Sequence, residues 1–229
     1  CIKLVSIKKM WYNISGKENT MKQNYQIMLD KKIEEIKLAG IRPSLLLHVC
    51  CAPCSSYVLE YLSEYFDITL YFYNPNISPE SEFDYRENEL ERLISQMSLN
   101  GTVKLIKGAY EPEKFYALAK GMEQMDEGGE RCFKCYELRL RKSAEEAQKG
   151  GYDYFTTTLS ISPHKNAQKL NEIGKALCEE YGVNYLFSDF KKKNGYKRSC
   201  ELSEIYSLYR QSYCGCIYSK AQAVRENRL

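Results

Sequence analysis

The sequence predicts an α/β protein with a doubly wound, mostly parallel sheet and a helical, cysteine-containing C-terminal extension. Short apolar segments that suit buried strands alternate with longer segments of helical periodicity. This alternation is typical of parallel sheets covered by helices on both faces. The first such strand, residues 45–49, is apolar at four of its five positions, as expected of a strand buried on both sides.

The first half of the chain is predicted to supply a surface helix and three strands. The helix covers residues 25–38, and residues 45–49 then lead through a tight turn into a second helix. Residues 68–73 are β-branched and aromatic, as strands prefer. The next helix is expected to begin with Ser78 as its cap and the following proline at its first position. Residues 102–106 form the third strand.

The second half is predicted to supply two more strands and the longest helix. A polar, glycine-containing loop at residues 121–130 leads into that helix. Residues 154–158 form the fourth strand, and a loop at residues 160–166 starts the helix after it. The fifth strand, residues 184–187, is short, and a further helix is expected at about residues 200–209.

Parallel strands place their carboxyl ends at one edge of the sheet, where ligands bind in such folds. The loops after Val49, Tyr73, Ile106 and Thr158 are therefore expected to meet at one rim. Asp84 and Arg86 follow the second strand as polar candidates for that rim.

The 229 residues are divided into three parts by composition. Residues 1–20 lack periodicity and are expected to be a non-native or disordered extension, whereas residues 21–190 form the α/β domain. Residues 191–229 are expected to be a basic helical segment packed on the same domain. No apolar run approaches the length of a membrane span, and no secretory signal is evident. Ten cysteines therefore indicate reduced thiols in a cytoplasmic protein rather than a disulfide scaffold.

The net charge of +3 is small, but its distribution is uneven, because residues 188–229 hold nine basic and four acidic side chains. This asymmetry favours contact with a polyanion, and an ordinary solvated surface is the alternative. Tyrosines among these cations would suit an unstacked base. The predicted phosphate-binding side chains of this segment are Lys191, Lys192, Lys193, Lys197 and Arg198.

Seven of the cysteines fall into three groups with ligand spacing. These groups are Cys50-Cys51-x-x-Cys54, Cys132-x-x-Cys135 and Cys214-x-Cys216. Thiols at such spacing can hold zinc or an iron–sulfur cluster, and a helix N-terminus favours the thiolate. Structural zinc is the main alternative, although seven thiols exceed one tetrahedral site. Cys178 and Cys200 have no partner at ligand spacing and are expected to be packing residues.

The chain has two histidines, and each allows two interpretations. His48 lies within the first strand, as a buried histidine or as a support for the neighbouring cysteines. His164 and Lys165 lie at a helix start after the fourth strand, where backbone N–H groups and the lysine could hold a phosphate or a ribose.

These motifs resemble the epoxyqueuosine reductases of the QueH type. The resemblance spans about residues 41–220 in the same order along the chain, and its four segments are His48 to Cys54, Arg131 to Leu140, Ser162 to Asn166 and Tyr213 to Cys216. It implies an adenine-nucleotide-hydrolase-like, Rossmann-related fold that holds a [4Fe–4S] cluster and an adjacent metal ion, expected to be iron. The implied reaction removes the epoxide oxygen of epoxyqueuosine in a tRNA anticodon loop, with an external electron donor.

On this interpretation the seven grouped cysteines are the metal ligands. Cys54, His164 and Lys165 are candidate catalytic residues, and Lys165 is also a candidate for binding tRNA. Two alternatives stay open. One is a zinc-stabilised RNA-binding module. The other is a tRNA-thiolating or adenylating enzyme of the same fold, which would need a phosphate-binding loop where the cysteine turn lies.

Overall fold

The structure, a computed structural model, describes residues 23–228, so the expectation for residues 1–20 lies outside the described residues. It contains one five-stranded sheet in the order β3-β2-β1-β4-β5, with every neighbouring pair parallel. The strands are β1 (Ser44–His48), β2 (Asp67–Phe72), β3 (Val103–Lys107), β4 (Tyr154–Thr157) and β5 (Asn184–Tyr185). The predicted parallel α/β fold is confirmed.

Helices cover both faces of the sheet. They are α1 (Tyr25–Ala39), α2 (Ala52–Leu62), α3 (Glu80–Gln96), α4 (Pro112–Ala119), α5 (Glu130–Gly150), α6 (Ala167–Tyr181), α7 (Gly195–Ile205) and α8 (Ile217–Arg225). Helices α2 to α6 lie between successive strands, α1 precedes the first strand, and α7 and α8 follow the last. Within residues 23–228, no helix combines the length and the apolar composition needed to cross a lipid bilayer.

Two apolar cores lie on opposite faces of the sheet because side chains alternate along each strand. On β1, Leu45 and Leu47 pack into the core shared with α1 and α2, whereas Leu46 packs into the core shared with α5 and α6. Both faces of β1 are therefore buried, which explains its almost continuous apolar sequence.

Several element boundaries differ from the predicted ones. Helix α3 begins at Glu80 with Pro79 in the cap position, so the prediction of Ser78 as the cap is wrong. The backbone N–H of Ser78 instead donates to the carbonyl of Gly215 at 3.0 Å. The predicted loop after the fourth strand begins with a 3-10 turn, Thr158–Ile161. That turn starts early because the Thr157 hydroxyl accepts from the N–H of Leu159 at 3.1 Å.

The helix expected at residues 200–209 lies one turn earlier, as α7. It stops at Ile205 because Ser207 takes a left-handed backbone conformation with a φ of 48°. Arg92 of α3 then binds the carbonyls of Tyr206 and Ser207 at 3.0 and 3.2 Å. Helix α7 packs against α2, where Arg198 pairs with Glu60 at 2.7 Å.

Candidate active site

Three thiols meet at the carboxyl end of β1, where the chain turns into α2. Cys51 is the N-cap residue of α2, and the sulfur atoms of Cys50, Cys51 and Cys54, the thiol triad, all lie within 4.8 Å of one another. The Cys50 and Cys51 sulfurs are 3.7 Å apart. Among residues 23–228, this thiol triad is the one set of three or more cysteine, histidine or acidic ligands gathered so closely.

The triad favours a single negative charge in the absence of a metal. Hydrogen bonds from Cys51 and Cys54 lower the pKa of Cys50 well below its usual value. The same contact with Cys50 raises the pKa of Cys51 and of Cys54, because neither thiol readily ionises beside an existing thiolate. A metal cation would remove this repulsion and allow all three sulfurs to ionise.

The remaining four grouped cysteines form a second set, the thiol quartet. Cys132 and Cys135 lie in the first two turns of α5, while Cys214 and Cys216 lie in the loop before α8. All four line one narrow cavity. Burial raises the pKa of Cys135 to about 12, so this thiol needs a cation to become a ligand.

The triad and the quartet lie side by side. A larger cavity of about 320 Å³ is lined by the whole triad and by Cys214 of the quartet. Arg139 and Lys165 also line both cavities. The structure thus brings all seven grouped cysteines to the predicted rim of the sheet, while their role as metal ligands stays a prediction.

Two buried cations line the cavities of both thiol sets. Arg139 is 1% exposed, and its Nε donates to the Cys135 carbonyl at 3.2 Å. Burial acts to lower the pKa of Arg139, but the nearby Cys135, Cys214 and Cys50 raise it above its usual value. Because a buried cation is costly unless it is compensated, Arg139 favours thiolates around it.

Lys165 is the second cation, and it lies inside the larger cavity rather than on the surface. Its Nζ is 2.7 Å from Glu127 Oε1, and its side chain is 6% exposed. Burial acts to lower its pKa, but Cys214, Tyr136 and Glu127 raise it well above the usual range. His164, by contrast, is exposed at the edge of the same cavity.

His48 does not line either cavity but ties three strands together. Its ring is fully buried, and burial with the nearby Arg139 lowers its pKa to about 3, so the ring is neutral. Nε2 is 3.1 Å from the Tyr73 carbonyl and must donate to it, because a carbonyl only accepts. Nδ1, at 2.9 Å, then accepts from the Thr157 hydroxyl.

Most of the predicted phosphate-binding charges of the C-terminal segment are paired. Lys191 donates to the Ser160 carbonyl at 2.8 Å and pairs with Asp189 at 3.1 Å. Lys193 pairs with Asp30 at 2.6 Å, and Arg198 pairs with Glu60. Lys192 and Lys197 are exposed, and neither has an acidic partner within the part of the chain that the structure describes.

Five arginines line the two cavities, and none of them was among the predicted catalytic, metal-binding or tRNA-binding residues: Arg86, Arg131, Arg139, Arg210 and Arg228. Arg139 follows Cys135 by four positions and so shares its face of α5, a spacing that could have indicated it. Arg86 was only a polar candidate and lines the larger cavity, whereas Asp84 is exposed and pairs with Lys107 at 3.4 Å. Arg210 comes from an irregular segment beyond α7, where no periodicity gives such a signal.

Comparisons with known proteins identify similar sequences over most of the chain. A family model described as "Epoxyqueuosine reductase QueH" matches residues 45–222. A protein of that name from Streptococcus pyogenes serotype M1 is 44% identical over 200 residues, covering 86% of this chain and 78% of the relative. One from Staphylococcus epidermidis is 45% identical over 210 residues, covering 90% and 88%. One from Thermotoga maritima is 38% identical over 179 residues, covering 77% and 90%.

Proposed function

The chain belongs to the epoxyqueuosine reductase QueH family, an oxidoreductase family of queuosine biosynthesis, and on that premise we propose that it converts epoxyqueuosine in tRNA to queuosine. The epoxide gains two electrons and two protons, both carbon–oxygen bonds break, a carbon–carbon double bond forms, and the oxygen leaves as water. The observation that carries this proposal is that the thiol triad lines a substrate-sized cavity together with Cys214, one member of the neighbouring quartet.

The residues fit the two metal groups that this chemistry calls for. The quartet offers the four thiolates that a [4Fe–4S] cluster takes, and the triad offers three ligands for a second ion, proposed to be iron, with a position left open. The buried cations Arg139 and Lys165 offset the charge of such thiolates. When bound, the cluster supplies electrons singly and the second ion supplies a Lewis acid.

Polar side chains of the cavity are assigned to holding and transferring the protons that the reaction consumes. Lys165 and Glu127 hold a proton inside the cavity, and the exposed His164 connects the cavity edge with solvent. Lys165 is therefore assigned to the reaction rather than to tRNA phosphates, because its ammonium group is buried against Glu127. The 2.7 Å ion pair keeps this charge at a fixed place in the cavity that Cys214 also lines.

The substrate nucleotide reaches the cavity from the anticodon loop of a tRNA, where a single-stranded base can be turned outward. Tyr196, Arg210 and Tyr213 line the cavity and offer aromatic and cationic groups to a nucleotide. Lys192 and Lys197 are assigned to the flanking phosphates, because both are exposed and neither has an acidic partner among residues 23–228. A tRNA substrate and reduced thiols suit a cytoplasmic enzyme that receives electrons from an external donor.

The first test is anaerobic purification followed by iron and sulfide counting, visible absorption and deoxygenation of epoxyqueuosine-containing tRNA with a chemical reductant. We expect iron, sulfide, broad visible absorption and turnover. In the variants, Cys132→Ser should lose the visible absorption, whereas Cys54→Ser should keep it and lose turnover. Cys178→Ser, outside both cavities, is the matched control. A colourless zinc protein without turnover would contradict the proposal.

A further inference from the structure

Arg86 is a buried arginine of α3 whose guanidinium is held on three sides. Its side chain is 2% exposed, and Nε pairs with Glu82 Oε1 at 2.8 Å. Nη1 donates to the Cys214 carbonyl at 3.0 Å, and the carbon Cζ lies 5.5 Å from the centre of the Tyr213 ring. These contacts leave the guanidinium little freedom to turn.

One nitrogen of the Arg86 guanidinium remains without a partner. Nη2 is buried and makes no hydrogen bond to any residue from 23 to 228. An unsatisfied buried donor carries its full desolvation penalty, which is larger still when the donor is charged. The other two nitrogens of this guanidinium are hydrogen-bonded within the folded chain. The unpaired Nη2 therefore indicates an acceptor that the folded chain itself does not provide.

The location of Arg86 indicates which kind of molecule could supply this acceptor. The side chain lines the larger cavity together with the thiol triad and Cys214. Burial acts to lower the pKa of Arg86, but Cys51 and the Glu82 carboxylate raise it, so the side chain stays cationic. An arginine can stabilise a negative charge but cannot give up its proton at working pH.

Building on the proposed function, we propose that Arg86 is a catalytic residue that donates a hydrogen bond from Nη2 to the oxygen atom leaving the substrate. As the two carbon–oxygen bonds break, electrons from the external donor accumulate on that oxygen. A fixed donor aimed at developing charge stabilises the transition state more than the ground state. The two protons that complete the water molecule come from solvent-connected groups, because Arg86 retains its own.

Arg92 provides a matched control on the same helix. It pairs with Glu89 at 2.9 Å and also binds carbonyls of the C-terminal segment, at Tyr206 and Ser207. It thus anchors that segment to α3 as Arg86 does, but it does not line the cavity. Arg92→Lys therefore shows how much the rate depends on the contacts between α3 and the C-terminal segment alone.

The experiment compares Arg86→Lys, Arg86→Gln and Arg92→Lys with the wild-type protein. Iron and sulfide content, thermal stability, tRNA affinity and the single-turnover rate of deoxygenation are measured for each. We expect both Arg86 variants to retain metal and tRNA affinity but to lose about 10²–10³-fold in rate. Arg92→Lys should keep the wild-type rate.

Two results would overturn the role of Arg86. One is a rate in the metal-loaded Arg86 variants equal to that of Arg92→Lys. The other is loss of metal in both variants, which would make Arg86 a structural support of the Cys214 loop. Both results can be interpreted only when the wild-type protein deoxygenates epoxyqueuosine in the same assay. A wild-type protein that leaves epoxyqueuosine unchanged would instead refute the proposed function.

Discussion

His48 lies where β1, β2 and β4 end, and its neutral ring joins the ends of the latter two strands. Its pKa of about 3 lies below the usual value of about 6.5 for an unfolded chain. Above pH 6.5 the His48 ring is neutral in both the folded and the unfolded state, and its contribution to the unfolding free energy is fully present. As the pH falls, the unfolded state binds a proton first, so stability is lost between pH 6.5 and 3.

We expect His48 to lower the unfolding free energy by about 2 kcal/mol at pH 5, relative to its value above pH 6.5. The measurement is urea unfolding of the reduced, metal-free protein from pH 7.5 to pH 5, with His48→Gln as comparison. The glutamine of this variant keeps a donor for the Tyr73 carbonyl but cannot titrate. The unfolding free energy of wild type should fall more steeply than that of the variant, and parallel pH profiles would contradict the assignment.

Among the elements, the loop that carries Cys214 and Cys216 depends on the glycine between them. Gly215 has a φ of 119°, and a Cβ atom there would lie 3.0 Å from Arg86 Nη1 and 3.0 Å from Ile77 Cγ1. The glycine therefore permits both the backbone conformation and the close approach of the loop to α3.

Gly215→Ala should lower the unfolding free energy by about 1–3 kcal/mol through backbone strain and reduce iron and sulfide per chain. Gly182→Ala is the control, because its φ is also positive, at 70°, but a Cβ atom there meets nothing within 4 Å. The control should lose stability while keeping its metal. Equal metal content in the two variants would show that the quartet does not need this loop geometry.

Local patterns predicted the strands and the three thiol groups well, because short apolar runs and cysteine spacing are properties of neighbouring residues. The end of α7 was misplaced because it depends on Arg92, from a distant helix, binding the carbonyls beyond Ile205. The pairing of Lys193 and Arg198 was hidden for the same reason, since Asp30 and Glu60 come from α1 and α2.

At the scale of the whole molecule, unpaired charge rather than total charge should determine tRNA binding. Lys192→Gln with Lys197→Gln should weaken binding and reduce the slope of log K against log salt by about 1.4–1.8, since two phosphate contacts are lost. Lys193→Gln, which removes a charge already paired with Asp30, should change the slope much less. Salt titrations of tRNA binding test this, and an unchanged slope in the double variant would rule out both lysines.

Two of the seven cavity thiols lie later in the chain than every strand. A nascent polypeptide can therefore complete its sheet, the triad and the α5 cysteines before Cys214 and Cys216 emerge from the ribosome. Until then the quartet is half complete, with only its two α5 thiols in place. On the proposed function, a cluster held by the quartet would be completed only after the C-terminal segment has been synthesised, as a late step in the maturation of the protein.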